Sequence, residues 1–285
     1  VNLMFKAKKG NEVKSYTPPP EKMKKPKGAE QEIALSKYNM ARVVILAAGQ
    51  GTRMSPLTDH TPKSLLPFED SNILIRLVGQ ILDRFSGEIF LVVGHEKERV
   101  VSVVKNIYGN RICIINNKHY LEDVNILSLS LAIKDEEKSF IVFEADCLFD
   151  NKAMDIIFSF NFKNVSSWYT SGPFLSTQVG GILLSDANKN VVDINIVPKF
   201  ESKFNNYDKL LGVLRVGPKE IRKFKKYVFN EIKKSTKQYY LTPWIKNLSF
   251  LPCVATSLSD YNVGAFNTPF EYDEVLKMFK NSNYD

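Results

Sequence analysis

Apolar segments of strand length alternate with amphipathic segments of helix length in the first half of the chain. This alternation restricts the fold more than any other feature. Strands are predicted at Val43–Ala47, Glu88–Gly94, Arg111–Ile115 and Phe140–Phe143. Helices are predicted over 73–85, 96–105 and 125–134, where apolar residues recur every three or four positions. The pattern is typical of an α/β domain in which helices flank a mixed, mostly parallel sheet, as in Rossmann-like folds.

The second half of the chain has a more mixed pattern. Short strands are predicted over 179–184, 191–196 and 209–215. A helix is predicted after Gly217, with Pro218 at its first helical position, where proline is favoured. The last helix has a capping-box start, because Thr268 is followed three residues later by Glu271.

Residues 1–40 differ in composition from the rest and are predicted to form a separate N-terminal arm. They contain nine lysines, four glutamates and three consecutive prolines, giving a net charge of +5. The whole chain carries +8, so residues 41–285, which are predicted to form a single globular domain, carry only +3. Because positive and negative charges nearly balance in residues 41–285, this part of the chain does not indicate nucleic-acid binding. The arm is interpreted as a solvated tail, or as a segment that packs on the body or a second subunit.

The overall composition excludes several other classes of protein. Hydrophobic residues make up 44% and charged residues 25%, which are ordinary globular values. The longest apolar run, Val43–Ala48, is far shorter than the ~20 residues of a membrane-spanning helix, so no membrane partner is expected. No signal peptide is apparent, and three scattered cysteines do not form a disulfide framework, so a cytoplasmic location is expected. A homo-oligomer is compatible with the sequence.

A glycine-rich loop directly follows the first predicted strand. The sequence runs Leu46-Ala47-Ala48-Gly49-Gln50-Gly51-Thr52-Arg53. Glycines let the backbone approach a bulky anion, and successive N–H groups in such a loop can bind phosphate oxygens. The loop is not the dinucleotide-binding fingerprint, because Met54 stands where a third glycine is needed, and it lacks the Gly-Lys-Ser/Thr of a P-loop.

The longer string resembles a known family signature. Gly49-x-Gly51-Thr52-Arg53, followed by Pro62-Lys63, is similar to the signature of the sugar-phosphate nucleotidyltransferase superfamily. The segment from Ile114 to Ala132, which includes Asn125-Ile126, resembles the bacterial phosphocholine-type, CTP-dependent cytidylyltransferases. Strand 140–146 and Asn267-Thr268-Pro269 resemble the metal-binding motifs of the superfamily, so the resemblance covers roughly 41–280.

The resemblance implies an enzyme that transfers CMP from CTP to a small phosphorylated or phosphonate acceptor and releases pyrophosphate. It also implies Mg²⁺ as cofactor and a role in making cell-surface precursors. The acceptor oxygen is already ionised at neutral pH, so no general base is needed. Catalysis then consists of positioning two polyanions and stabilising charge at the α-phosphoryl group.

The candidate site residues fall into four groups. Arg53, Lys63 and Asp146 are the predicted catalytic residues. The predicted nucleotide-binding residues are Leu46, Ala47, Ala48, Gly49, Gly51, Thr52 and Asn125. The predicted acceptor-binding residues are Lys199, Trp168 and Tyr169, and the predicted metal ligands are Asp146 and Asn267.

Asp146 is the primary metal candidate because it follows a strand whose carboxyl end meets the loop edge of the sheet. Mg²⁺ usually takes one or two carboxylates together with phosphates and waters. Glu144 lies two residues earlier, on the same face, and is interpreted as a second site group or a solvated charge. The family's second metal aspartate is Asn267 here, so either Asn267 is a weak ligand or Asp146 alone holds one metal.

Several alternatives remain open at this level. UTP or dTTP could replace CTP, which would make the protein a sugar-1-phosphate uridylyl- or thymidylyltransferase. A catalytically silent nucleotide-binding regulator is favoured by Asn267, and a glycosyltransferase by Glu144-x-Asp146. Trp168 and Tyr169 either surround a quaternary ammonium by cation–π attraction or simply pack in the core. Asn125 either contacts a substrate or caps a helix.

Overall fold

The computed structural model describes residues 40–134, 139–159 and 165–281. The predicted N-terminal arm lies outside these residues, except for Met40, which begins the first strand. In the part of the chain that is described, every helix is too short or too polar to cross a membrane.

Thirteen strands are present among the described residues. They are β1 (Met40–Ala47), β2 (Pro67–Phe68), β3 (Ser71–Asn72), β4 (Glu88–Val93), β5 (Ile112–Asn116), β6 (Ser139–Glu144), β7 (Cys147–Phe149), β8 (Ser166–Pro173), β9 (Gly180–Ser185), β10 (Val191–Val197), β11 (Asp208–Val216), β12 (Cys253–Ser257) and β13 (Val263–Ala265).

Seven α-helices accompany these strands in the same described ranges. They are α1 (Ile73–Leu82), α2 (Lys97–Tyr108), α3 (Ile126–Ile133), α4 (Asn151–Phe158), α5 (Ile221–Lys234), α6 (Thr242–Asn247) and α7 (Pro269–Asn281). The strands and helices predicted between 42 and 143 are all found, with ends that differ by at most a few residues.

The central sheet has the order β10-β9-β11-β6-β1-β4-β5. Its β6-β1-β4-β5 half is parallel, whereas β11 runs antiparallel to β6. The sheet forks at β11. One edge of β11 pairs with β6 near its C-terminal end and with β9 near its N-terminal end, and the opposite edge pairs with β8. This architecture confirms the predicted mixed, mostly parallel α/β fold flanked by helices.

Two apolar cores cover the two faces of the sheet. Ile45, Val93 and Phe143 pack with α1 and α2 on one face. Val44 and Val142 pack with α3, α5 and α6 on the other. Because both faces of the parallel strands are buried, these strands appear in the sequence as continuous apolar runs rather than as alternating patterns.

The predicted start of α5 is wrong. The helix begins at Ile221 rather than at Pro218. The reason is that the preceding turn is tied to β8: Gly217 N and the Glu220 carboxylate both hydrogen-bond to the Ser166 hydroxyl, each at 2.9 Å. These contacts fix residues 217–220 as a turn before the helix can begin.

The predicted capping box is confirmed at the start of α7. The Thr268 Oγ1 accepts from Glu271 N at 3.2 Å, and the Glu271 carboxylate accepts from Thr268 N at 3.2 Å and from Asn267 N at 2.6 Å. Glu271 is therefore engaged with the backbone, and the cap fixes the main chain of Asn267.

Thr268→Ala is expected to lower the free energy of unfolding by about 1 kcal/mol, the usual cost of losing a helix N-cap. The physical reason is that Glu271 N loses its acceptor at the first turn of α7. Thermal unfolding followed by circular dichroism would measure the loss. Thr268→Ser, which keeps the hydroxyl, is the matched control, and equal losses in both variants would contradict the role of the cap.

Candidate active site

The glycine loop and Asp146 lie side by side at one edge of the sheet. Strands β1 and β6 are parallel neighbours, with Leu46 paired to Glu144 and Ala145 N donating to Leu46 O at 3.0 Å. Both strands therefore deliver their following residues to the same edge, where ligands bind in open α/β sheets. An open cleft with a volume of about 260 Å³ lies there.

This first cleft contains every residue of the predicted nucleotide-binding and catalytic groups. Its lining includes Leu46, Ala47, Ala48, Gly49, Gly51, Thr52, Arg53, Lys63, Asn125, Asp146 and Asn267. The residues predicted from the sequence for these two groups thus line one continuous surface. The cleft is also lined by residues outside the predicted site groups, among them Tyr120, Asp123, Ser128 and Tyr239.

Gly51 is needed for both the conformation and the packing of the loop. Its φ angle of 68° lies in the left-handed region, where a side chain is strained. A Cβ at this position would also lie 3.0 Å from the Lys63 Cβ. The absence of a side chain lets the segment that carries Lys63 pack directly against the loop. Gly49, in contrast, faces open space.

Four polar side chains from distant parts of the chain meet at the floor of the cleft. The Lys63 Nζ donates to Asp146 Oδ2 at 2.5 Å and to Asn267 Oδ1 at 3.3 Å. Arg53 Nη2 also donates to Asn267 Oδ1, at 2.7 Å. The two predicted cations are therefore held by the two predicted metal ligands, in a site that is open to an incoming anion.

The donor set of this cluster suits a magnesium ion that arrives with its own phosphates. The Asp146 carboxylate oxygen and the Asn267 amide oxygen both face the Lys63 ammonium, so the two oxygens converge on a position that suits a cation. Both are hard oxygen donors of the kind that Mg²⁺ takes. Among the described residues there is no cluster of three or more acidic, histidine or cysteine side chains that could hold a metal ion without oxygens from the substrate.

Asn125 occupies the N-cap position of α3, but its side chain does not cap the helix. Its amide nitrogen donates to Glu144 Oε1 at 3.1 Å, and its amide oxygen accepts from Tyr240 N at 2.8 Å. Asn125 therefore links three separate elements at the cleft. The cap is supplied by Asp123, which accepts from Leu127 N and Ser128 N.

Glu144 lies within the site rather than in solvent. Burial, followed by the nearby Asp146 carboxylate, raises the pKa of Glu144 to about 7, while Lys63 and Lys209 oppose the shift. The Tyr240 hydroxyl also hydrogen-bonds to this carboxyl group. Gly212 on β11 makes room for it, since a Cβ there would lie 2.6 Å from the Glu144 Cβ.

A second cleft adjoins the first and shares its polar floor. Arg53, Asn125, Glu144, Asp146, Tyr239 and Asn267 line both clefts. The second cleft extends towards the fork of the sheet and is otherwise lined by Trp168, Val179, Gly180, Gly181, Ile196, Lys209, Leu210, Leu211, Gly212, Tyr240, Leu241 and Ala265.

Only one of the three predicted acceptor-binding residues reaches either cleft. Trp168 lines the second cleft, but it lies in the middle of β8 rather than at a strand end and is 2% exposed. Tyr169 faces the opposite core and donates to Ile157 O. Lys199 is exposed in the turn after β10. Alternation along β8 sends Trp168 and Tyr169 to opposite faces of the sheet.

Comparison with protein families identifies the domain. Residues 42–172 match the family model described as "Nucleotidyl transferase". Residues 42–172, which make up somewhat less than half of the chain, are therefore similar to a nucleotidyl transferase domain. The match covers the glycine loop, Lys63, Asn125 and Asp146, so most of the polar floor belongs to the matched region. The resemblance inferred from the sequence is confirmed.

Curated relatives of the nucleotidyl transferase domain share part of the chain. The bifunctional protein GlmU of Methanococcus aeolicus is 29% identical over 161 residues, which is 55% of this chain and 36% of that protein. The choline-phosphate cytidylyltransferase of Streptococcus pneumoniae is 31% identical over 110 residues, 39% of this chain and 47% of that protein. The matches thus span between about a third and a half of these relatives.

A solved structure shows the same fold over nearly its full length. The CTP:phosphocholine cytidylyltransferase LicC of Streptococcus pneumoniae superposes with a TM-score of 0.70 at 20% identity, covering 84% of this chain and 99% of that one. The fold of the nucleotidyl transferase domain therefore continues through the second half of the chain, beyond residue 172.

Proposed function

We propose that this protein transfers CMP from CTP to a small phosphorylated or phosphonate acceptor and releases pyrophosphate. The observation that supports it best is the shared floor of the two clefts, where Lys63 and Arg53 converge on Asp146 and Asn267. The first cleft suits the nucleotide, since it contains the glycine loop, and the second suits the acceptor.

In the proposed reaction an acceptor oxygen attacks the α-phosphorus of CTP. A new phosphorus–oxygen bond forms, the bond between the α-phosphorus and the bridging oxygen breaks, and pyrophosphate leaves with that oxygen and the bond electrons. No proton has to move, because the acceptor oxygen is ionised. Arg53 binds the β- and γ-phosphates through its planar guanidinium, and the compact Lys63 ammonium stabilises charge at the α-phosphoryl group.

Mg²⁺ is proposed as the cofactor, held by Asp146 and the Asn267 amide oxygen together with the triphosphate. When bound, it supplies positive charge that draws electrons from the reacting phosphoryl group. The other contributions come from this chain. The loop N–H groups orient the triphosphate, and Asn125 holds the Glu144 carboxyl against the cleft wall.

The choice of CTP rests on the likeness of the segment around Asn125 to cytidylyltransferases and on the relative named choline-phosphate cytidylyltransferase. The runner-up is a sugar-1-phosphate uridylyl- or thymidylyltransferase, since the described contacts contain no direct readout of the base. A silent nucleotide-binding regulator is the remaining candidate, because Asn267 lacks the charge of an aspartate.

A panel of nucleotides and acceptors tests the proposal. Pyrophosphate release is expected with CTP and either phosphocholine or 2-aminoethylphosphonate, and is expected to stop when EDTA removes Mg²⁺. UTP and dTTP with glucose 1-phosphate form the competing arm. Turnover only in that arm would support the sugar enzyme, whereas nucleotide binding without turnover in any combination would support the regulator.

A further inference from the structure

A third cation, Lys209, lies in the second cleft and was not singled out by the sequence. It is on β11, at the fork of the sheet, where one edge of β11 stops pairing with β6 and pairs with β9 instead. Its ammonium donates to two backbone oxygens, Gly181 O and Leu210 O, both at 3.3 Å. Among the described residues, no carboxylate forms an ion pair with it.

The environment of Lys209 is poorly matched to an ammonium ion. Burial lowers the pKa of Lys209, and the more distant carboxylates of Glu144 and Glu271 oppose this shift. The Lys209 side chain is half-buried, and a cation that is partly removed from water with only carbonyl partners is costly unless an anion compensates its charge. Lys209 therefore has both the charge and the unsatisfied environment expected of an anion-binding residue.

Trp168, which also lines the second cleft, is engaged by its neighbours rather than open to a ligand. The indole Nε1–H of Trp168 is buried and has no hydrogen-bond partner among the described residues. The ring itself is occupied: Tyr240 stacks on it with centroids 5.7 Å apart, and Trp244 packs edge-on at 5.7 Å. These contacts favour the packing role of Trp168 over an open aromatic surface for a quaternary ammonium.

The position of Lys209 fits the chemistry of an acceptor. The second cleft meets the first at Asp146, Asn267 and Arg53, so an anion near Lys209 lies beside the residues assigned to the triphosphate. Resting on the proposed function, we propose that Lys209 binds the phosphate or phosphonate group of the acceptor. It neutralises that group, so that a second polyanion can approach the nucleotide.

Replacing Lys209 tests this assignment through binding as well as turnover. Lys209→Met removes the charge and keeps an unbranched side chain that fills the same space, and Lys209→Arg keeps the charge. The KM for the acceptor is expected to rise about tenfold or more in Lys209→Met, which corresponds to losing one charged hydrogen-bonding partner, while the KM for CTP changes less than about twofold. Lys209→Arg should recover part of the acceptor affinity.

Binding of methylphosphonate in EDTA, measured by calorimetry in the presence of CTP, gives a readout that needs no turnover. Wild-type protein should bind the probe, and Lys209→Met should bind it about tenfold more weakly. Lys226→Met, an exposed lysine on α5, is the matched control and should behave as wild type. Equal binding by wild type and a folded Lys209→Met would overturn the assignment.

Amine labelling of the wild-type protein decides the question if Lys209→Met does not fold. Methylphosphonate should protect Lys209 from an amine-reactive reagent, as read by mass spectrometry, but should not protect Lys226. Absence of protection would reject the role of Lys209. If no acceptor is turned over while Lys209-dependent binding persists, the proposed CMP transfer fails and the anion site stands.

Discussion

Turnover by Asp146→Asn is expected to be about 10²-fold lower than that of the wild-type protein, or lower still, because a charged group that stabilises the reacting phosphoryl is lost. Asp146 Oδ2 accepts from Lys63 Nζ at 2.5 Å, beside Asn267 Oδ1. The asparagine keeps the shape of the side chain but removes the only formal negative charge of the two proposed metal ligands. Half-maximal activity should therefore also require more Mg²⁺.

The measurement is initial-rate pyrophosphate release at saturating substrates over a range of Mg²⁺ concentrations. Asp155→Asn is the matched control: Asp155 lies on α4, its side chain is 66% exposed, and it pairs with Arg84 away from both clefts. An exposed pair of this kind contributes little to stability, so the control should keep full activity. Near-normal turnover by a folded Asp146→Asn would remove Asp146 from the mechanism.

The parallel half of the fold could be predicted from the sequence because its strands are buried on both faces. Val43–Ala47 and Phe140–Phe143 form uninterrupted apolar runs, and amphipathic helices separate the strands. The sequence analysis gave no range for several elements, all of them eight residues long or shorter: β2, β3, β7, β8, α4, α6, β12 and β13. Elements of two to eight residues carry too few periods for an apolar pattern to be recognised, and their positions depend on tertiary pairing.

The first cleft was predictable for a different reason. The glycine loop, Lys63 and Asp146 are tied to the ends of strands and to a linear signature, so their proximity follows from the parallel order of β1 and β6. The cap supplied by Asp123 could not be predicted in this way, because Asn125 occupies the N-cap position directly before the helix and Asp123 lies two residues earlier.

The second cleft depends on contacts that the sequence does not contain. Lys209 enters it only because the sheet forks at β11, and no local pattern marks that fork. Lys199 was the sequence candidate because Pro198-Lys199 resembles, in reversed order, a lysine–proline motif of the superfamily, yet the turn after β10 leaves Lys199 exposed. Which lysine reaches the site is decided by strand pairing between segments that are far apart in the chain.

Lys63→Ala is expected to lower kcat by about 10²-fold, because the ammonium is assigned to charge that develops at the α-phosphoryl group. The Lys63 and Asp146 side chains are only 14% and 19% exposed, but they face an open cleft in which water can solvate the remaining carboxylate. The loss of stability should therefore be small, about 1 kcal/mol, as for a partly solvated ion pair. Initial rates and thermal unfolding on the same preparation give both values.

The loss of kcat in Lys63→Ala, compared with its loss of stability, distinguishes a catalytic role of Lys63 from a structural one. If Lys63 only neutralised Asp146, then Lys63→Ala would lose stability and activity together, and adding Lys63→Ala to Asp146→Asn would lower turnover no further than Asp146→Asn alone. If Lys63 acts on the phosphoryl group, the double variant recovers stability, but its turnover falls well below that of Asp146→Asn alone, since a second charge that stabilises the phosphoryl group is lost. An unchanged kcat in Lys63→Ala would assign Lys63 to the protein surface and leave Arg53 as the principal cation of the first cleft.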